Sequence, residues 1–237
     1  MRSAKSVGRI VGILSLGRML LAPVVYAVLL PPVLGTSFLA DAAGSALRIR
    51  VALLLTFVFG ALTLGIAIVG LPVLRRHGEG LALTLLSLSV VGCATLAIDD
   101  RAILDMLSLS QADAAAGAPH EVIRALGGLA RTTWRWAHFS NLVLSHGTLV
   151  LLSLIAYRGA LVPRALAAFA LAAALLSTGA VAMPLLGYRF ESLLLVPTAL
   201  GQLALTAWLL VRGFVERAFQ GSSEPQRVGG LTLGAHT

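Results

Sequence analysis

Six apolar runs, each about as long as a bilayer is thick, dominate this sequence and leave few architectures open to it. A helix crossing the hydrocarbon core needs roughly 20 predominantly apolar residues. Runs at about 10–30, 51–72, 80–98, 138–157, 165–184 and 193–212 meet that need. Each is expected to be a helix, because an open strand leaves backbone polar groups unsatisfied in lipid. The expected fold class is all-α: a polytopic membrane bundle of six transmembrane helices in one domain, residues 1–215. Of the 237 residues, 58% are hydrophobic and 12% charged, whereas a soluble domain has about 45–50% and 25%.

The net charge of +8 raises nucleic acid as a partner. Its distribution answers the question. With the amino terminus in the cytoplasm, ten Lys and Arg fall on the inner side and seven on the outer. The basic segment MRSAKSVGR and the turn Arg75-Arg76-His77 are both inside. The asymmetry follows the positive-inside rule, so the charge sets topology and no nucleic-acid partner is expected. Both termini are expected to be cytoplasmic. Val25-Tyr26-Ala27 has the small residues of a signal-peptide cleavage site. Arg18 interrupts the apolar run before it, however, and the run continues beyond, so the first span is expected to stay attached.

The inner turns VLRRHGEG and YRGALVPRA are short and carry Gly or Pro, which makes the helices they join antiparallel neighbours. Residues 31–50 read as a loop. After Pro119, Val122, Leu126, Leu129 and Thr133 recur at helical spacing among Glu121, Arg124, Arg131 and Arg135. This predicts an amphipathic outer-side helix between spans three and four, lying on the membrane or capping the bundle. The tail GSSEPQRVGGLTLGAHT has the composition of a disordered cytoplasmic segment, placed at 216–237. Small residues four apart, Gly8/Gly12, Ala168/Ala172 and Ala170/Ala174, allow close backbone approach, expected to serve packing within the bundle.

Polar residues inside the spans are where chemistry would sit. In WRWAHFSNLVLSHGT, at about 100° per residue, Trp134, His138, Asn141, Ser145, His146 and Thr148 share about 160° of the helix with Arg131 and Arg135. His138, beside Trp134 and Trp136, is expected to be a water-boundary residue. His138 and His146 lie about 12 Å apart along the axis, too far to share a metal. No HExxH motif occurs, no nucleophile turn is present, and the single cysteine, Cys93, cannot form an internal disulfide or a thiolate cluster. No metal and no cofactor are expected. Arg18, His146 and Gln202, on three helices, fall about 12–18 Å from the outer face. They are expected to form an intramembrane polar cluster with Asn141 and Ser87, the candidate ligand-binding site.

The segments GRIVGIL, ALVPRALA and LVPTALGQLALTAWLLVRGF resemble a family of six-span bacterial membrane proteins known as domain of unknown function 4386. The resemblance spans roughly residues 5–215. It implies a bacterial cytoplasmic (inner) membrane and no established activity. The family's closing motif commonly carries Glu where this sequence has Gln202, which removes a titratable intramembrane group. The function expected is that of a non-enzymatic integral membrane protein among membrane lipids, accommodating a small amphiphile or other small hydrophobic ligand. One alternative is a membrane-embedded enzyme using His146 or the acids Asp99, Asp100 and Asp105. A second is a small transporter, for which no inverted repeat is evident.

Overall fold

A computed structural model describes residues 3–115 and 119–215. These are helical, with no strand among them. The six long helices are α1 (Ala4–Pro23), α2 (Ala46–Leu74), α3 (Glu79–Ala114), α4 (His120–Arg158), α5 (Arg164–Ala182) and α6 (Val196–Arg212). With their short helical continuations, all six are long and apolar enough to cross a membrane. The expected tail at 216–237 lies outside the described residues.

Each helix packs against its neighbours in sequence, and α1 also packs against α6, so the six close into a ring. The described chain ends share one end of the ring with the 75–77 and 159–163 turns, here called the terminal end. The far end carries residues 31–45 and the link between α3 and α4. At the terminal end, Val7, Val11, Leu74, Leu85, Ile155, Leu161, Leu209 and Phe214 form one apolar cluster. At the far end, Leu30, Val33, Ile49, Ile103, Met106 and Leu107 form another.

The ring closes where side chains are absent. A Cβ on Gly8 would lie 2.1 Å from the Phe214 nitrogen, and one on Gly12 would lie 2.9 Å from the Leu210 nitrogen. Here α1 and the end of α6 touch backbone to backbone. Arg9 reinforces the seam by donating from Nη2 to the Val211 carbonyl at 3.0 Å. Gly213 sits at φ +70, where L side chains are strained, and its Cα faces the Lys5 carbonyl. Thus Gly8 and Gly12 pack within the bundle. On α5, Ala170 and Ala174 are buried while Ala168 and Ala172 are exposed, so only one of those two pairs faces inward.

Two expectations need correction. Residues 120–137 are helical as expected but do not form a separate helix. They are the first half of α4, which runs unbroken from His120 to Arg158 because no Pro or helix-stopping turn separates the amphipathic part from the apolar part. Residues 31–50 are also more ordered than a loop. Pro31–Leu34 and Phe38–Asp41 are short helices, and α2 begins at Ala46. Arg131 holds this segment against α4 by donating to the Leu34 carbonyl at 3.1 Å and to the Gly35 carbonyl.

Candidate functional site

Two polar layers cross the ring. The first is near mid-height. Arg18 Nη2 donates to Gln202 Oε1 at 3.0 Å, joining α1 to α6. The Arg18 guanidinium also sits over the Phe59 ring, 5.9 Å from its centre. A neutral amide and an aromatic face therefore receive a cation that has no acid beside it. Ser15, Thr63, Ser89 and Thr148 join Arg18 and Gln202 around a cavity of about 30 Å³ on the ring axis. A second cavity of about 20 Å³, farther along, is lined by Thr63, Ser89, Thr148, Ser145 and Asn141. A water needs roughly 10–15 Å³ of such space and two to four polar partners, so each cavity has room for a water or two.

The expected cluster is thus only partly assembled. Arg18 and Gln202 meet. His146 makes its hydrogen bond inside its own helix, between Nδ1 and the Leu142 carbonyl at 2.8 Å, and bonds to neither. Asn141 is buried in the neighbouring cavity, where its Oδ1 accepts from Thr95 Oγ1 at 3.1 Å. Ser87 is exposed on the outside of α3 and takes no part. Ser89, two residues on, is the buried hydroxyl, because two residues on a helix point about 200° apart.

The second layer lies toward the far end. Asp99 and Asp100 read as acids just beyond a span, yet both are inside the packing at 0% and 4% exposure. His138 Nδ1 lies 3.0 Å from Asp99 Oδ2, an ion pair when the imidazole is protonated. The His138 ring stacks on Trp134 with centres 5.2 Å apart and meets Tyr26 at 5.4 Å. His138 is largely packed, with only 16% of its side chain exposed. Asp100 Oδ2 meets Thr56 Oγ1 of α2. Oδ1 of each aspartate is buried without a hydrogen-bond partner among the described residues. Asp105, by contrast, is half exposed and pairs with Arg101 at 3.0 Å.

A signal for this layer was present in the sequence. Once α3 and α4 form an antiparallel hairpin, residues equidistant from its turn lie level. The pairs Asp99–His138 and Thr95–Asn141 are both centred within a residue of Pro119. Ending the third span at residue 98 hid this. Among the described residues, no three His, Cys, Asp or Glu side chains are grouped to hold a metal ion.

Beyond the second layer, an open groove of about 430 Å³ lies between α3 and α4. Leu109, Leu126, Leu129 and Ala130 give it apolar walls, and Asp105, Ser108 and Thr133 supply polar atoms.

Comparison with known families fits this architecture. The family model of a domain of unknown function, DUF4386, matches residues 10–213. The chain belongs to this family. The match covers all six helices of the ring, so this DUF4386 protein is a multi-pass membrane protein. No curated protein and no solved structure matches the chain.

Proposed function

We propose that this DUF4386 protein is a non-enzymatic membrane protein that binds a small amphiphile in the groove between the far halves of α3 and α4. The groove itself carries the reading. Ligand sites for small molecules are concave and mostly apolar, with a few polar groups, at about 300–1,000 Å³. The groove, about 430 Å³, has that size and lining. The two small cavities, about 20 and 30 Å³, are far too small for an amphiphile, which favours the groove over the surroundings of Arg18 and Gln202 as its site.

The position also supports an amphiphile. The 36 residues of α3 and 39 of α4 make rods of about 54 and 58 Å, against a hydrocarbon core of about 30 Å. The groove lies on the excess length, near the membrane boundary. A chain could rest on Leu126 and Leu129, which are 46% and 65% exposed, while a head group reached Ser108 and Thr133. The basic residues at the terminal end support cytoplasmic termini in a bacterial inner membrane, with the groove on the outer side. The enzyme reading has less support, because His146 is engaged on its own helix, Asp99 on His138, Asp100 on Thr56 and Asp105 on Arg101.

Native mass spectrometry with an added single-chain phospholipid tests the proposal. Wild type should carry a one-to-one adduct, and Ala130→Trp, which fills the groove, should lose it. Leu20→Trp, on a 62% exposed lipid-facing position, should keep it. Equal adducts in all three proteins would mean that the lipid binds elsewhere.

A further inference from the structure

The Thr56 hydroxyl has one proton to donate and two oxygen atoms within hydrogen-bond reach. Thr56 is 1% exposed, so bulk water does not complete its hydrogen bonding. Its Oγ1 lies 2.6 Å from the Leu53 carbonyl oxygen and also in hydrogen-bond contact with Asp100 Oδ2. A hydroxyl has one proton to donate and two lone pairs to accept with. A carbonyl oxygen can only accept. If Thr56 donates to Leu53, its contact with Asp100 needs a proton from the carboxyl side.

We propose that Asp100 is a proton-binding site, occupied as a neutral carboxylic acid whose O–H donates to Thr56 Oγ1 while Thr56 donates to the Leu53 carbonyl. The ligand is a proton taken from water, and its release would leave a carboxylate and return H⁺ to water.

The neighbourhood fits this assignment from every side. On α3, Asp99 is the adjacent acid, fully buried and committed to His138 of α4 through Oδ2. From the segment following α1, the phenol of Tyr26 packs against His138. On α2, Thr56 is the contact, and Arg48 is turned away to the Val28 carbonyl. On α4, Arg131 is held by the Leu34 and Gly35 carbonyls, and Arg135 lines a separate surface pocket with Trp136. One imidazole thus lies beside one of two adjacent carboxyls. When His138 is protonated, a proton on Asp100 brings the ion pair and the acid to zero net charge. Without it, a net negative charge sits in an apolar bundle, with Oδ1 of both aspartates buried and lacking a partner. Ionisable groups that are kept inside membrane bundles mark proton sites in this way.

Infrared difference spectroscopy of the purified protein reads the proton directly. A protonated carboxyl gives a C=O stretching band that moves down when H2O is replaced by D2O. Wild type near neutral pH should show one such band. Asp100→Asn should remove it, and the amide nitrogen can make the same donation to Thr56, which preserves the fold. Asp105→Asn should leave the band in place. Thr56→Val, which removes the acceptor, should shift it up, and Thr56→Ser should not. Absence of the band in folded wild type, or its persistence in Asp100→Asn, would overturn the assignment. If Asp100→Asn does not fold, the Thr56 pair decides: a band indifferent to Thr56→Val would equally overturn it.

Discussion

A graded series of glycine replacements along α1 tests the closure of the ring. Apolar heavy atoms approach best at about 3.5–4.0 Å. A Cβ at Gly8 would stand 2.1 Å from the Phe214 nitrogen and 2.7 Å from the Gly213 carbonyl carbon. Both obstacles are backbone, so α1 and the end of α6 would have to part by about 1.4 Å to reach ordinary contact. A Cβ at Gly12 meets the Leu210 nitrogen at 2.9 Å, and one at Gly17 meets only the flexible Leu62 Cδ1 at 3.5 Å. Overpacking of this kind costs about 1–3 kcal/mol. Helix propensity acts the other way, favouring Ala over Gly by up to about 1 kcal/mol. Gly8→Ala should therefore destabilise most, Gly12→Ala less, and Gly17→Ala should be neutral or slightly stabilising. Gly92→Ala, where a Cβ meets nothing within 4 Å, should match Gly17→Ala. Reversible unfolding in mixed detergent gives the order. Equal stabilities for Gly8→Ala and Gly92→Ala would refute the backbone contact between α1 and α6.

Four further outcomes are expected. A double-mutant cycle of Arg18→Met with Gln202→Leu should give a coupling of about 0.6 kcal/mol and at most about 1.7; a coupling of zero means the pair is not formed. Asp99→Ala strands His138 beside the aromatic rings and should destabilise by about 3–5 kcal/mol, as breaking a buried pair does. The same assay should find Asp105→Ala nearly neutral, because exposed pairs contribute about 0–1 kcal/mol. Reporter fusions at Gly78 and after Phe219 should read cytoplasmic and one at Ala115 external; a cytoplasmic reading at Ala115 reverses the orientation.

The helices were legible because lipid imposes a length and an apolar composition that no other element satisfies. The Gly8/Gly12 spacing likewise announced a close approach, although only the fold shows that α6 makes it. The polar chemistry was harder to read. Arg18 and Gln202 were recognised as partners by depth, since a charge in lipid must find an acceptor. His146 lies within electrostatic reach of Arg18, but depth does not reveal that its ring hydrogen-bonds back to Leu142. Ser87 points away from the polar layer while Ser89 points into it, a matter of helix phase. The larger omission was the Asp99–His138 layer. Treating residues past 98 as leaving the bundle assigned both acids to water. The segment DDRAILDMLSLS does read as a continuation of the third helix, and α3 runs to Ala114, but its partner α4 covers both acids there. The groove was beyond the sequence altogether, because two helices must be placed before the space between them exists.

An experimental density map of the protein in lipid nanodiscs with a single-chain phospholipid is the most direct test of the amphiphile reading. The account predicts one elongated density between Leu109 of α3 and Leu126, Leu129 and Ala130 of α4, with its head near Ser108 and Thr133. A groove closed by contact of α3 with α4, or density confined to the ordinary lipid annulus, would contradict it.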